Sequence, residues 1–227
     1  MSENKASGVR AAATVVVVRN GAEGLEALLL RRHAQIQFAG GMWVFPGGAV
    51  DAEDFGGGDD PLAAARQAAA REAQEEAGLL VDPAQLHYFA HWTTPEQWGK
   101  RFATWFFIAT VDGTQEVQVD GGEIDRYQWL RPQQALAAHR DRSVDLLPPT
   151  YVTLRDLAGC ADTAAALALY RQRPVLEILP RMAADSSRLI MLYPGDAGYA
   201  DSVAECEGPR HRCWQGDDGW HYQCEPG

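Results

Sequence analysis

Residues 11–19, AAATVVVVR, form an unbroken run of small and β-branched apolar side chains. A short run of this kind ending in a turn predicts a strand buried on both faces. Asn20-Gly21 supplies the turn, and residues 25–30 (LEALLL) predict a second strand closed by Arg31 and Arg32. The pattern lapses over 33–42, which reads as a loop. Trp43-Val44-Phe45 is a short strand stopped by Pro46-Gly47-Gly48. Residues 51–60 (DAEDFGGGDD) read as a flexible, mobile stretch because three consecutive glycines restrict the backbone little. Asp60 and Pro61 then carry a helix N-cap and first helical position. The alanine-rich sequence that follows is helix-favouring to Ala77, with Gly78 as its natural stop.

Beyond Gly78, residues 85–92, 102–111 and 127–130 predict strands. Arg131-Pro132 opens a short helix, 149–172 has leucine and alanine at helical spacing, and 189–192 is a strand. Residues 210–224 alternate around QGDDG and predict a terminal β-hairpin. Strands, one central helix, more strands and then helices predict an α/β sandwich with a mixed sheet.

The length of 227 residues suits one sizeable domain, or a domain with an extension. No apolar run is long enough to span a membrane. Residues 1–10 are polar and lack the apolar core of an export signal, so a cytoplasmic location is expected. The formal net charge of −11 disfavours duplex nucleic acid as a partner. It also disfavours an anionic diphosphate unless a metal cation intervenes. Cys206, Cys213 and Cys224, with His211 and His221, hold enough ligands for zinc. Their spacing is irregular and lacks a CxxC knuckle, so reduced thiols in a hairpin are the favoured reading.

The chemistry concentrates in REAQEEAG, residues 71–78. On a helix Glu72, Glu75 and Glu76 stand at i, i+3 and i+4 and share a face. Three neighbouring carboxylates repel one another, and a hard cation such as magnesium or manganese relieves the repulsion. A solvated acidic face with an Arg71–Glu75 pair is the plain alternative.

This stretch resembles the Nudix box, in which a glycine precedes Arg-Glu-x-x-Glu-Glu-x-Gly-aliphatic. Gly48, then Arg71, Glu72, Glu75, Glu76, Gly78 and Leu79 fill those positions. The spacing from Gly48 to Arg71 is 71 − 48 = 23, against 14 in the family, an insertion of nine residues. Counting from Gly48 places the first box acid at Asp54; counting back from Arg71 places it at Ala63. The resemblance implies an α/β/α Nudix sandwich over residues 8–195 with a mixed central sheet and helical C-terminal extension, followed by a tail, 196–227, with the hairpin. It implies that Glu75 and Glu76 hold Mg2+ or Mn2+ with help from a backbone carbonyl near Gly48. Glu72 is then a ligand or the general base, and Arg71 orients the glutamates.

Other positions carry two readings each. Glu123 is a late-loop metal ligand or base, or an exposed acid in a surface turn. Lys100 and Arg101 meet substrate phosphates or are simply solvated. His91 reads as a polar core residue before a substrate contact, and Trp92, Trp105 and Phe107 read as core. A second resemblance, on GGMWVFPGGAVDAED, HWTTPEQWGKRFATWFF and LLPPTYVTL, is to the Nudix branch of coenzyme A and acyl-coenzyme A diphosphatases. A coenzyme A signature of that branch falls on Arg32, His33, Gln37, Gly41 and Phe45, with His33 and Gln37 departing from it. The implied function is hydrolysis of a phosphoanhydride in a small nucleotide-like molecule. The alternatives are an enzyme acting on ADP-ribose, NADH or dinucleoside polyphosphates, and a binding module without catalysis. The oligomeric state is open, a homodimer included.

Overall fold

The computed structural model describes residues 8–36 and 39–225; Gln37 of the signature above lies outside the described residues. The strands of the first half are β1 (Arg10–Gly21), β2 (Gly24–Arg32), β3 (Trp43–Val44) and β4 (Gly47–Ala49). After α1 (Pro61–Ala77) come β5 (His87–Thr93), β6 (Phe102–Thr110) and β7 (Ile124–Leu130). Three helices follow, α2 (Pro132–Arg140), α3 (Pro148–Leu157) and α4 (Thr163–Arg171). The chain ends in β8 (Leu176–Ile178), β9 (Arg181–Met182), β10 (Ile190–Leu192), β11 (His211–Gly216) and β12 (Gly219–Cys224).

The main sheet runs β3-β2-β1-β6-β5-β8, with β4 also on β1 and β7 also on β2. β1 is antiparallel to β2 and parallel to β6, so the sheet is mixed as expected. Successive residues of β1 serve opposite faces, as the period of two requires. Ala13, Val15 and Val17 pack with Ala65, Ala68, Ala69, Ala73 and Ala77 of α1. Val16 and Val18 point the other way, into a core shared with Leu154 and Leu157 of α3 and Ala166 and Tyr170 of α4. This is the predicted three-layer sandwich.

The structure departs from the sequence reading in four places. The stretch expected to be flexible begins with a single 3-10 turn, Ala52–Phe55, in which Asp54 is buried. The reason is electrostatic and lies at the active site. Residues 149–172 form two helices rather than one, because Asp162 caps a new helix by accepting from the Ala165 amide. β7 starts at Ile124, pulled into register by β2 through Arg32. The terminal hairpin is half of a second sheet, β12-β11-β10-β9. The division expected at residue 195 therefore falls inside a sheet, with β10 paired to β11 across it.

That sheet is anchored by a buried ion pair. Arg212 on β11 forks onto Asp196, Nε and Nη2 each donating at 2.7 Å. Asp196 also accepts from the amides of His211 and Gly198, and its side chain is fully shielded from solvent. Burial pushes the Asp196 carboxyl up, but the Arg212 and amide hydrogen bonds outweigh it and hold the group below its ordinary range. Removing one partner strands the other charge, so Asp196→Ala should cost about 3–5 kcal/mol in thermal or denaturant unfolding. Because the folded carboxyl titrates below the unfolded value of about 3.9, the pair's contribution is complete above that pH. It is lost as pH falls through the folded value, and the difference in melting temperature between wild type and Asp196→Ala should shrink in the same acid range.

Candidate active site

α1 is positioned by its ends and its inner face. Asp60 accepts from the Leu62 amide at the N-terminus, and Gly78, at φ 68°, closes the helix with its N–H on Gln74. The inner face is alanine, so the helix axis approaches β1 closely. Two glycines on β4 make the approach possible at the functional end. A Cβ on Gly47 would sit 2.5 Å from the Ala13 carbonyl oxygen, and one on Gly48 would sit 2.2 Å from Glu72 Oε1. Backbone atoms exclude a side chain at Gly47, and one at Gly48 would have to displace the Glu72 carboxylate, which presses directly on the strand backbone.

The three box glutamates fan out. Glu76 is buried, with Oε2 accepting from the Gly47 amide at 2.9 Å. Glu72 lies across Gly48 and accepts from Arg71 Nη1 at 2.9 Å. Glu75 is exposed and turns back to Arg71 Nη1 at 3.0 Å. Among the described residues no three His, Cys, Asp or Glu side chains stand gathered around a metal position. Mutual repulsion and these competing hydrogen bonds account for the spread.

Arg71 is the centre of the arrangement. Its guanidinium donates to both oxygens of Asp54 at 3.1 Å, to Glu72, to Glu75 and to the Ala49 carbonyl at 3.0 Å. Burial raises the Asp54 carboxyl, but hydrogen bonds from Arg71 and from the Asp51 amide lower it on balance. Of the two candidate positions for the first box acid, Asp54 is the one that meets Arg71. The insertion thus keeps the acid that follows Gly48 and adds its extra length between Asp54 and Arg71, in the 56–60 loop and the first turns of α1.

Glu72, Gly48, Arg32 and Glu123 line one end of a cavity of about 540 Å³. Arg32, at the end of β2, donates to Glu123 Oε2 at 3.0 Å and lies 3.9 Å from Glu76 Oε1. The sequence reading placed Arg32 in a signature but gave it no role beside the box. The other walls are mostly apolar, with Phe45, Trp92 and Phe106 from the main sheet, Pro149 from α3 and Met191 and Tyr193 from the second sheet or its edge.

Burial raises Glu76 to about 8; the Gly47 hydrogen bond and Arg32 oppose this, and Glu72 and Glu123 add to it. Burial likewise raises Glu72 against the pull of Arg71. Hard carboxylate oxygens buried against their charged form suit a divalent cation, which favours that form.

The remaining sequence-predicted residues separate. Lys100 lines the cavity, its Nζ 5.5 Å from the Phe102 ring centre. Arg101 does not line it; its Nε donates to the Thr94 carbonyl. His91 packs against Trp105 at 5.0 Å between ring centres, outside the cavity lining. Phe107 is core and Trp105 packs against the same cluster, whereas Trp92 is both core and cavity wall. In the tail, His211 engages Pro194 and Tyr222 through its two nitrogens, and His221 bonds Asp218 and stacks on Trp214. Cys213 is buried, which pushes its thiol up to about 12, while Cys224 is exposed.

A NUDIX domain model matches residues 9–148, which include Arg32, the glycine pair and all of α1. The chain belongs to the Nudix family. Among relatives of this Nudix protein is the human acyl-coenzyme A diphosphatase NUDT19, 31% identical over 121 residues, or 51% of this chain. The match spans only 32% of that relative's length. A putative nudix hydrolase 7 of Caenorhabditis elegans is 23% identical over 77% of this chain and 70% of its own. The crystal structure of a NUDIX hydrolase from Alicyclobacillus acidocaldarius superimposes with a TM-score of 0.66 at 25% identity. It covers 72% of this Nudix chain and 97% of its own.

The glycine geometry gives a direct test. Gly48→Ala should push Glu72 off β4 and weaken Mn2+ binding measured by calorimetry, with the fold retained by circular dichroism. Unchanged Mn2+ affinity would show that Glu72 need not lie on Gly48.

Proposed function

We propose that this chain is a divalent-cation-dependent hydrolase of a phosphoanhydride in an X-linked nucleoside diphosphate, with coenzyme A or an acyl derivative as substrate. One observation carries the reading: the carboxylate end opens into a single cavity whose far walls are apolar. Pro149, Thr150, Pro180, Met191 and Tyr193 of those walls lie beyond the family match at residue 148. A mostly apolar arm with a few amides, such as pantetheine, suits a lining of that kind. The similarity to the human acyl-coenzyme A diphosphatase supports the same choice.

Glu72, Glu75 and Glu76, with the Gly48 carbonyl, would hold Mg2+ or Mn2+, which when bound neutralises charge on the diphosphate oxygens. Glu75 must turn away from Arg71 to take part. Arg71, bound to Asp54 and Glu72, keeps the helix end oriented. Glu123 faces the cavity with its carboxylate largely exposed. We assign it the general base, since Glu72 is pinned by Arg71 and Gly48. Water attacks one phosphorus, its proton passes to Glu123, and the bridging P–O bond breaks with the electron pair leaving on the departing phosphate. Lys100 at the cavity wall supplies a cation for a further phosphate of the nucleotide.

Incubation with magnesium and coenzyme A should yield 3′,5′-ADP and 4′-phosphopantetheine. Ready cleavage of ADP-ribose, NADH or a dinucleoside polyphosphate in place of coenzyme A would overturn the substrate and leave the hydrolase. Nucleotide binding without magnesium-dependent turnover of any of them would make the chain a binding module. Glu76→Gln keeps the side-chain shape and should lower turnover by orders of magnitude in a protein that still folds. Near-normal turnover would remove Glu76 from the site.

A further inference from the structure

Two arginines reach the carboxylate cluster, and they are committed very differently. Arg71 places all three of its nitrogens in hydrogen bonds, to two carboxylates of its own helix, to Asp54 and to the Ala49 carbonyl. Arg32 makes one good hydrogen bond, to Glu123, and one long ionic contact, to Glu76. Its Nε is buried and has no hydrogen-bond partner. A guanidinium carries five N–H donors and keeps its charge in proteins, so a buried arginine with most donors unspent is expensive unless something is meant to meet them.

The backbone aims this side chain. The β2–β7 register shifts between Arg31 and Arg32, a bulge that redirects the strand end. Arg31 goes outward to Asp125, Nε donating at 2.7 Å. Arg32 goes inward, its side chain only 17% exposed, and lines the cavity beside Glu72 and Gly48. Its backbone is fixed by bonds to Met42 and from Gly41. The side chain therefore borders the volume in which, on the reading above, the diphosphate lies.

We propose that Arg32 is an internal counter-cation of the carboxylate cluster, which competes with the divalent ion for Glu76 and passes to the substrate diphosphate when the ion displaces it. Arg32 is a positioning residue in this scheme, and the proposal rests on the hydrolase reading. Its physical consequence is coupling. The ion frees the guanidinium for the anion, and an anion that engages the guanidinium frees Glu76 for the ion. Each must then tighten the other by the same factor.

The test measures Mn2+ binding to the full chain by calorimetry, alone and with α,β-methylene-ADP, a diphosphate that is not hydrolysed at the bridge. In the wild type the analogue should tighten Mn2+ by roughly 5-fold or more. Arg32→Gln should bind Mn2+ alone more tightly than the wild type and lose the tightening by the analogue. Arg32→Lys keeps the charge without the fork; it should bind Mn2+ near the wild-type affinity and show reduced coupling, which preserves the test if the glutamine variant fails to fold. Mn2+ binding that is unchanged or weaker in folded Arg32→Gln, or coupling that survives there or stays at full wild-type strength in Arg32→Lys, overturns the role of Arg32 alone. Absence of Mn2+ binding by the wild type overturns this proposal together with the hydrolase reading.

Discussion

Arg71 is the point at which a helix, a strand and an inserted loop are tied together. Its partners come from α1, from the Ala49 carbonyl on β4 and from the turn that holds Asp54. A three-residue strand and a four-residue turn have little structure of their own, so they take their place from the helix. The guanidinium converts them into one surface because its five donors are coplanar and fixed in direction. Glu72 can crowd against Gly48 because this cation lies within reach of its charge, while Glu76, against Gly47, has Arg32 as its nearest cation. Lysine, with a single point charge on a flexible stem, could not bridge three segments at once.

Much of this was legible in the residues. Asp60, Pro61 and Gly78 bracket α1 by local rules, and the observed bounds agree with them. The β-branched run of β1 declares a strand buried on both sides, and both cores contain its side chains. The glutamate spacing pointed to metal chemistry, though not to the fact that Glu75 stands outside while Glu76 is buried. That difference depends on how α1 is rotated against the sheet, which residues far away decide. Asp54 against Ala63 was undecidable by counting, because an insertion has no register until a partner fixes it. The strand expected at 189–192 is β10, but β9 is two residues long and carries no period of its own; it exists as a strand through pairing with β10, which pairs in turn with β11.

The second sheet belongs to the site as much as to the stability of the chain. Met191 and Tyr193 share a buried cluster with Leu29, Phe45 and Phe106 of the main sheet, and Trp92 meets Tyr193 edge-on at 5.4 Å. His139 on α2 extends the tie to the hairpin. Its Nδ1 donates to the Val144 carbonyl and its Nε2 accepts from the Trp220 amide. The region matched by the family model would cover this face of the main sheet only with α2 and the segment after it, through Ala135, Val144 and Leu146. What covers the rest is also what gives the cavity its apolar wall.

The parallel pairing of β1 with β6 sets the order in which the chain can assemble. Arg10 stands beside Phe102 and Val18 beside Thr110. As the polypeptide leaves the ribosome, β1 and β2 can close as a hairpin at once, but the other edge of β1 stays open until residue 110 has emerged. That edge belongs to the most β-prone segment of the protein, Val15 to Val18, with no charge or proline to guard it. β4 pairs with Ala12 to Thr14 on the opposite side of β1 from β6, so it does not cover that edge. Nascent chains paused before β6 therefore expose a sticky strand, and early truncations of this protein carry an aggregation hazard that the finished fold conceals.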